Sequence, residues 1–181
     1  MRKIINSSFI SLDGVTEHLE QWHFDYHDES ATAFATHQIL ECDAMLLGRK
    51  TYDIYATAWP AQTGAYADQI NKIQKYVVST TLDEADWHGS TVLKGDLVEE
   101  VTALKEQPGG NILMNGVGPV VRTLLQHQLL DELHLWVHPV LAATGGPSDL
   151  LFREGEATHL ELIETTTLDT GVVVLSYHPV L

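Results

Sequence analysis

Residues 111–141, NILMNGVGPVVRTLLQHQLLDELHLWVHPVL, constrain the fold more than any other stretch of the chain. The first five residues fit a short buried strand. Gly116-Val117-Gly118 then turns the chain without a side-chain penalty at two of three positions. Pro119 follows, and proline suits the start of a helix because its missing N–H would have no partner there. Val120, Val121, Leu124, Leu125 and Leu129 repeat at helical spacing. After Asp131-Glu132 the period changes to two. Leu133, Leu135 and Val137 lie on one side, and His134, Trp136 and His138 on the other. Strand, glycine turn, helix, strand is a parallel crossover unit.

The remaining segments extend this plan. Residues 2–10 read as a first strand, ended by the turn signal Asp13-Gly14. Residues 17–27 read as an irregular loop over one edge. A helix is expected over 28–41 with Ala31, Phe34, Ala35 and Ile39 inward. The apolar run 43–48 reads as a strand buried on both faces. Short helices follow over 49–55 and 66–74, a strand over 75–79 and a brief strand over 91–93. Asp96 with Glu99 makes a capping box for a helix over 97–107, which Pro108-Gly109-Gly110 stops. Residues 158–167 and 172–177 flank Asp169-Thr170-Gly171 as a hairpin. The expected architecture is one α/β domain over residues 1–181. It has a mainly parallel mixed sheet, helices on both faces and a C-terminal antiparallel hairpin.

In such a sheet the ligand sits at the carboxyl ends of the strands. Those ends are Asp13-Gly14, Gly48-Arg49-Lys50-Thr51, Ser79-Thr80 and Gly116-Val117-Gly118. Three of the four supply groups suited to phosphate: cations, hydroxyls and a glycine turn at a helix start. The full G-x-G-x-x-G fingerprint is absent, because Val121 stands at the third glycine's place. A formal charge of −15 with ten Lys and Arg argues against a nucleic-acid or anionic-membrane partner. It also makes each basic spot count: Arg2-Lys3, Arg49-Lys50, Lys72, Lys75, Lys94, Lys105, Arg122 and Arg153. No apolar run is long enough to span a bilayer, and the N-terminus lacks the marks of a signal peptide, so a cytoplasmic location is expected.

Several residues have two readings. Arg49 and Lys50 are phosphate ligands or surface ion pairs. Ser79 and Thr80 meet a cofactor or cap a strand end. Asp13 shapes its turn or, as the candidate catalytic residue, orients substrate or relays a proton. Asp28 and Glu29 suit a helix N-terminus. No metal is expected. His134 and His138 share a strand face but stand ~13 Å apart, no HExxH is present, and the single cysteine, Cys42, cannot build a multi-cysteine zinc site. The mixed face carrying His134, Trp136 and His138 is a candidate contact for a homodimer.

The runs SLDG, LLGRKTYD, KYVVSTTL and NGVGPVVRTLLQHQLLDELHLWVHPVL, in this order and spacing, resemble the reductase domain of bacterial riboflavin biosynthesis, which shares the dihydrofolate reductase fold. The resemblance spans residues 4–177. It implies a three-layer fold, NADPH as cofactor and hydride transfer to a small heterocyclic substrate of pteridine or pyrimidine type. Carried over by position, Gly48, Arg49, Lys50 and Thr51 would meet the cofactor phosphates. Ser79 and Thr80 would meet the adenosine end, and the N–H groups of Gly116, Val117 and Gly118 would cradle the pyrophosphate. The zinc deaminase domain that usually accompanies this reductase has no counterpart here, which points to a stand-alone member. A non-catalytic nucleotide-binding protein on the same fold is the alternative.

Overall fold

A computed structural model describes residues 1–151 and 157–180. Five helices and eight strands form the frame, in the order β1 (Ile4–Ser11), α1 (Glu29–Leu40), β2 (Cys42–Gly48), α2 (Arg49–Ala58), α3 (Ala65–Lys72), β3 (Gln74–Val78), β4 (Ser90–Leu93), α4 (Leu97–Glu106), β5 (Asn111–Asn115), α5 (Pro119–Gln126), β6 (Glu132–His138), β7 (His159–Thr167) and β8 (Val173–Val180). The strands join one sheet in the order β4-β3-β2-β5-β1-β6-β8-β7. The first six run parallel, while β8 lies antiparallel to both β6 and β7. This is the mainly parallel sheet with a C-terminal hairpin that the alternating strand and helix signals imply.

The connections set the faces. From β2 the chain walks outward through β3 to β4. It then returns to place β5 between β2 and β1, and α5 carries it past β1 to β6. Right-handed crossovers in opposite directions put their helices on opposite faces. On one face Val101 and Leu104 of α4 and Val121 and Leu124 of α5 cover Ile4, Leu46, Ile112 and Met114. On the other, Ile39 of α1, Tyr52 of α2 and Ile70 of α3 cover Met45, Leu47, Val77 and Leu113. A third cluster joins Ala31 to Trp136, Leu168, Val172 and Val174 under the hairpin. Ala44–Leu47 of β2 and Ile112–Met114 of β5 therefore read as continuous apolar runs, as burial on both faces requires.

Local differences from the sequence reading have physical causes. β3 ends at Val78, because the Ser79 hydroxyl accepts the N–H groups of Thr81 and Leu82 at 3.2 and 3.0 Å and turns the chain. α2 runs on to Ala58, three residues beyond expectation. Asp28 is the N-cap of α1, accepting from the Ala31 N–H at 2.9 Å. The 17–27 segment contains two short 3-10 turns and buries Trp22 and His23. The β6 face proposed for a dimer is covered within the chain: β6 lies between β1 and β8, and Trp136 and His138 are buried. Arg153 lies outside the described residues.

Candidate functional site

β2 and β5 are neighbours whose following helices leave toward opposite faces of the sheet. The gap between those helix starts is a topological switch point. A cleft of about 570 Å³ opens there, lined by Gly48, Arg49, Lys50 and Thr51 on one wall and by residues 114–122 on the other. Glu17 and the loop residues Pro147, Ser148 and Leu150 close one end. α2 begins after Gly48 and α5 after Gly118, and neither start has a side-chain cap. Two helix N-termini thus bring main-chain donors and partial positive charge to one cavity.

The glycine turn is shaped for this position. Gly116 holds φ at +80°, and a Cβ there would stand 3.1 Å from the Thr51 hydroxyl on the facing wall. A Cβ on Gly118 would meet no atom within 4 Å, so the backbone at that point borders open space. From beneath, the Asn6 amide donates to the Gly116 carbonyl at 2.8 Å, and Asn6 in turn accepts the Ser8 hydroxyl at 2.9 Å. Asn115 donates to the Ser7 carbonyl at 2.8 Å, and the Trp136 indole donates to the Ser7 hydroxyl at 2.8 Å. A polar row in the central strand therefore props the turn from the sheet side. Sequence reasoning missed Asn6, Ser7 and Ser8. The run Asn6-Ser7-Ser8 in an otherwise apolar strand was the available signal.

Of the residues singled out beforehand, Gly48, Arg49, Lys50, Thr51, Gly116, Val117 and Gly118 line this one cleft. Arg49 donates its Nε to both carboxylate oxygens of Asp53 at 2.8 and 2.9 Å. Lys50 meets Glu17 at 2.7 Å. Both residues therefore make ion pairs within the chain while lining the cleft. Ser79 and Thr80 are not among the lining residues: Ser79 is buried with its hydroxyl in the turn, and Thr80 is exposed.

Asp13 also stands outside the lining. Its carboxylate accepts the Ser11 hydroxyl at 2.6 Å and the N–H groups of Ala142 and Ala143 at 2.9 Å each. These bonds, the Ser11 hydroxyl foremost, hold its pKa down at about 2. The observed work of Asp13 is to tie the end of β1 to the loop after β6. The other strand ends, β1 and β6, carry a feature no motif announced. His23 Nδ1 lies 2.9 Å from His138 Nε2 in a buried pair, with Phe9 stacked on His23 at 4.0 Å and Trp22 edge-on to His138 at 5.1 Å.

The chain's cations are distributed in a telling way. Arg2, Lys75 and Lys105 are buried. Arg2 pairs with Asp43, and Lys105 with Asp131. Lys75 donates to the Asn71 and His88 carbonyls at 2.8 and 2.9 Å, and burial pulls its pKa down to about 8. These three therefore serve the fold. Among the described residues, Arg49, Lys50 and Arg122 are the cations that line the cleft. Among the described residues no cluster of three or more His, Cys, Asp or Glu is arranged for a metal, and no helix is long and apolar enough to cross a membrane.

Comparison with known proteins agrees with this architecture. The profile of the RibD C-terminal domain family matches residues 2–174. The uncharacterized protein YyaP of Bacillus subtilis strain 168 is 29% identical over 185 residues, covering 98% of this chain and 95% of YyaP. A pyrimidine reductase-like protein of Corynebacterium diphtheriae superposes with a TM-score of 0.71 at 14% identity, over 99% of this chain and 92% of that one. The deaminase/5-amino-6-(5-phosphoribosylamino)uracil reductase of Thermotoga maritima superposes with a TM-score of 0.68 at 12% identity, over 99% of this chain and 57% of its own. At such identities the structural likeness speaks for the fold.

Proposed function

Because the chain belongs to the RibD C-terminal domain family, we propose that it is a stand-alone NADPH-dependent reductase that delivers hydride to a small heterocyclic substrate of pteridine or pyrimidine type. The observation that carries this reading is the single cleft shared by two uncapped helix starts, the glycine turn and the cations Arg49 and Lys50. That donor set suits a pyrophosphate. The residues present fit the cofactor: Gly118 leaves open space beside the backbone, and any side chain at Gly116 would crowd Thr51. Lys50 and the Thr51 hydroxyl, with the main-chain N–H groups of the turn, would hold the phosphates. Arg49 would take the most highly charged one. When bound, the nicotinamide supplies the reactive hydride, and the protein's share is orientation and exclusion of water.

Asp13 is held ionised by three hydrogen bonds, so at neutral pH it has no proton to give. Its role in this reading is to fix the loop that borders the substrate end. A second reading is a nucleotide-binding protein without catalysis: among the described residues the carboxyl group that lines the cleft, Glu17, is engaged with Lys50. The experiment is a titration of NADPH against wild type and Arg49→Ala, with oxidation followed at 340 nm over a panel of pteridines, flavin precursors and quinones. Weaker binding in the variant with turnover of one panel member supports the reductase. Unchanged affinity removes Arg49 from the site, and tight binding without turnover of any panel member favours the second reading.

A cytoplasmic location and a homodimer belong to the same proposal. β7 offers a sheet edge with Leu160, Leu162 and Ile163 exposed. Sedimentation at several concentrations, with Leu162→Lys as the disrupting variant, tests the dimer.

A further inference from the structure

Arg49 and Lys50 each meet a carboxylate of the chain itself, but in different ways. Arg49 is met from within its own helix, where Asp53 lies one turn on and takes only the Nε hydrogen. Among the described residues no other group takes the remaining guanidinium hydrogens. Lys50 is met from across the cavity. Glu17, on the segment after β1, brings its carboxylate to 2.7 Å from the ammonium although the two lie 33 positions apart. Glu17 lines the same cleft as Gly116, Val117 and Gly118. A carboxylate therefore stands on the lysine in a cavity whose other donors suit an anion.

The backbone that carries Glu17 is held firmly. Its carbonyl accepts the indole N–H of buried Trp22 at 2.9 Å. The preceding residue, Thr16, donates its N–H to the Asp149 carbonyl at 2.8 Å, and Val15 bridges to Leu150. The main chain is fixed, and the side chain is partly exposed. The pair itself is well exposed at Lys50, at 74%, and less so at Glu17, at 34%. An ion pair of that exposure is weak and replaceable.

We propose that Glu17 sets the affinity of the cleft for anions: its carboxylate occupies the Lys50 ammonium when the cleft is empty, and a ligand phosphate displaces it. The inference rests on the nucleotide reading above. A tethered carboxylate is present at high effective concentration. An incoming anion must exchange with it instead of meeting a bare ammonium. A simple anion that engages Lys50 alone gains little from the exchange. A pyrophosphate that also meets the helix starts and Arg49 offsets it. Glu17 thus lowers the affinity for every anion that engages Lys50 by a common factor, and only ligands with further contacts bind well through it, while Asp53 stays in place and orients Arg49.

The test is calorimetric titration of NADPH, and separately of inorganic pyrophosphate, into wild type, Glu17→Gln, Lys50→Met and the double variant. Glu17→Gln is expected to tighten NADPH about 2- to 5-fold, the range of an exposed ion pair, and to tighten pyrophosphate at least as much. In the Lys50→Met background the gain should vanish, because the two side chains act through one contact. Unchanged affinity in Glu17→Gln overturns the proposal. So does a gain that persists in full with Lys50→Met, which would mean general repulsion from the carboxylate. Failure of the nucleotide reading looks different: NADPH binds none of the four proteins, while pyrophosphate still tightens on Glu17→Gln.

Discussion

Acidification tests the buried histidine pair. His138 Nδ1 sits 2.8 Å from the Trp136 carbonyl, which can only accept, so that nitrogen carries the proton. His138 Nε2 is then the acceptor, and His23 Nδ1–H donates to it across 2.9 Å. This arrangement needs a neutral His138, and burial favours the neutral form of His23 as well. Burial first, and then the neighbouring His138, pull the His23 pKa from 6.5 to about 4. Burial also lowers His138. At ~1.4 kcal/mol per pKa unit, the His23 shift alone amounts to about 3 kcal/mol. The sign follows from linkage: between pH 6.5 and 4 the unfolded chain binds more protons than the native one. The stabilisation is complete above pH 6.5 and drains away as pH falls toward 4. In a chain of this size that is a fall in Tm of roughly 6–12 °C from this pair, beyond any other acid effect. The comparison variant is His23→Phe, which keeps a ring on Phe9. At pH 7.5 it should be less stable than wild type by about 1–3 kcal/mol, because His138 Nε2 loses its donor. At pH 4.5 the gap should shrink or reverse. Urea unfolding at six pH values, with NMR titration of the histidine Cε1 protons, reads both quantities. Parallel stability profiles for the two proteins, or a His23 resonance titrating near 6.5, would refute the pairing.

Two further substitutions probe the frame and the turn. Asp131 accepts both the Lys105 ammonium and the Ile4 N–H, and Lys105 is buried. Asp131→Ala should cost about 3–5 kcal/mol by leaving a buried charge on the Leu129 carbonyl alone; Lys105→Met added to it should recover part of the loss, and a urea midpoint within error of wild type would discredit the account. Gly116→Ala should destabilise by about 1–2 kcal/mol through its positive φ, and it should weaken NADPH binding more than stability alone explains, because the new methyl lies 3.1 Å from the Thr51 hydroxyl. An alanine variant with wild-type affinity would separate the turn from the ligand.

This acidic chain has only ten Lys and Arg, and their positions follow a division of labour. Arg2, Lys75 and Lys105 secure strand ends and loops from inside. At the cleft, Arg49 and Lys50 are kept in hand by carboxylates close enough to orient or cover them. Composition counts charges and is silent on their fates: strand-end position singled out Arg49 and Lys50, but nothing in the sequence marked Arg2, Lys75 and Lys105 as buried.

The local grammar of the chain was enough for the elements. Period two across residues 133–138, the helical repeat after Pro119 and the glycine turn between them depend only on neighbours in sequence, and they placed β5, α5 and β6 within a few residues of the structure. The same reasoning put Gly48, Arg49, Lys50, Thr51, Gly116, Val117 and Gly118 at strand ends, and the sheet order brought those ends to one cavity. What the tertiary structure alone decided are the pairings across long separations: His23 with His138, Glu17 with Lys50, Asp13 with the loop after β6. Each depends on which strands become neighbours and how far a connecting segment can reach. Hydrophobic periodicity says which face of an element is buried. It does not say which polar side chain, a hundred residues away, will be waiting there.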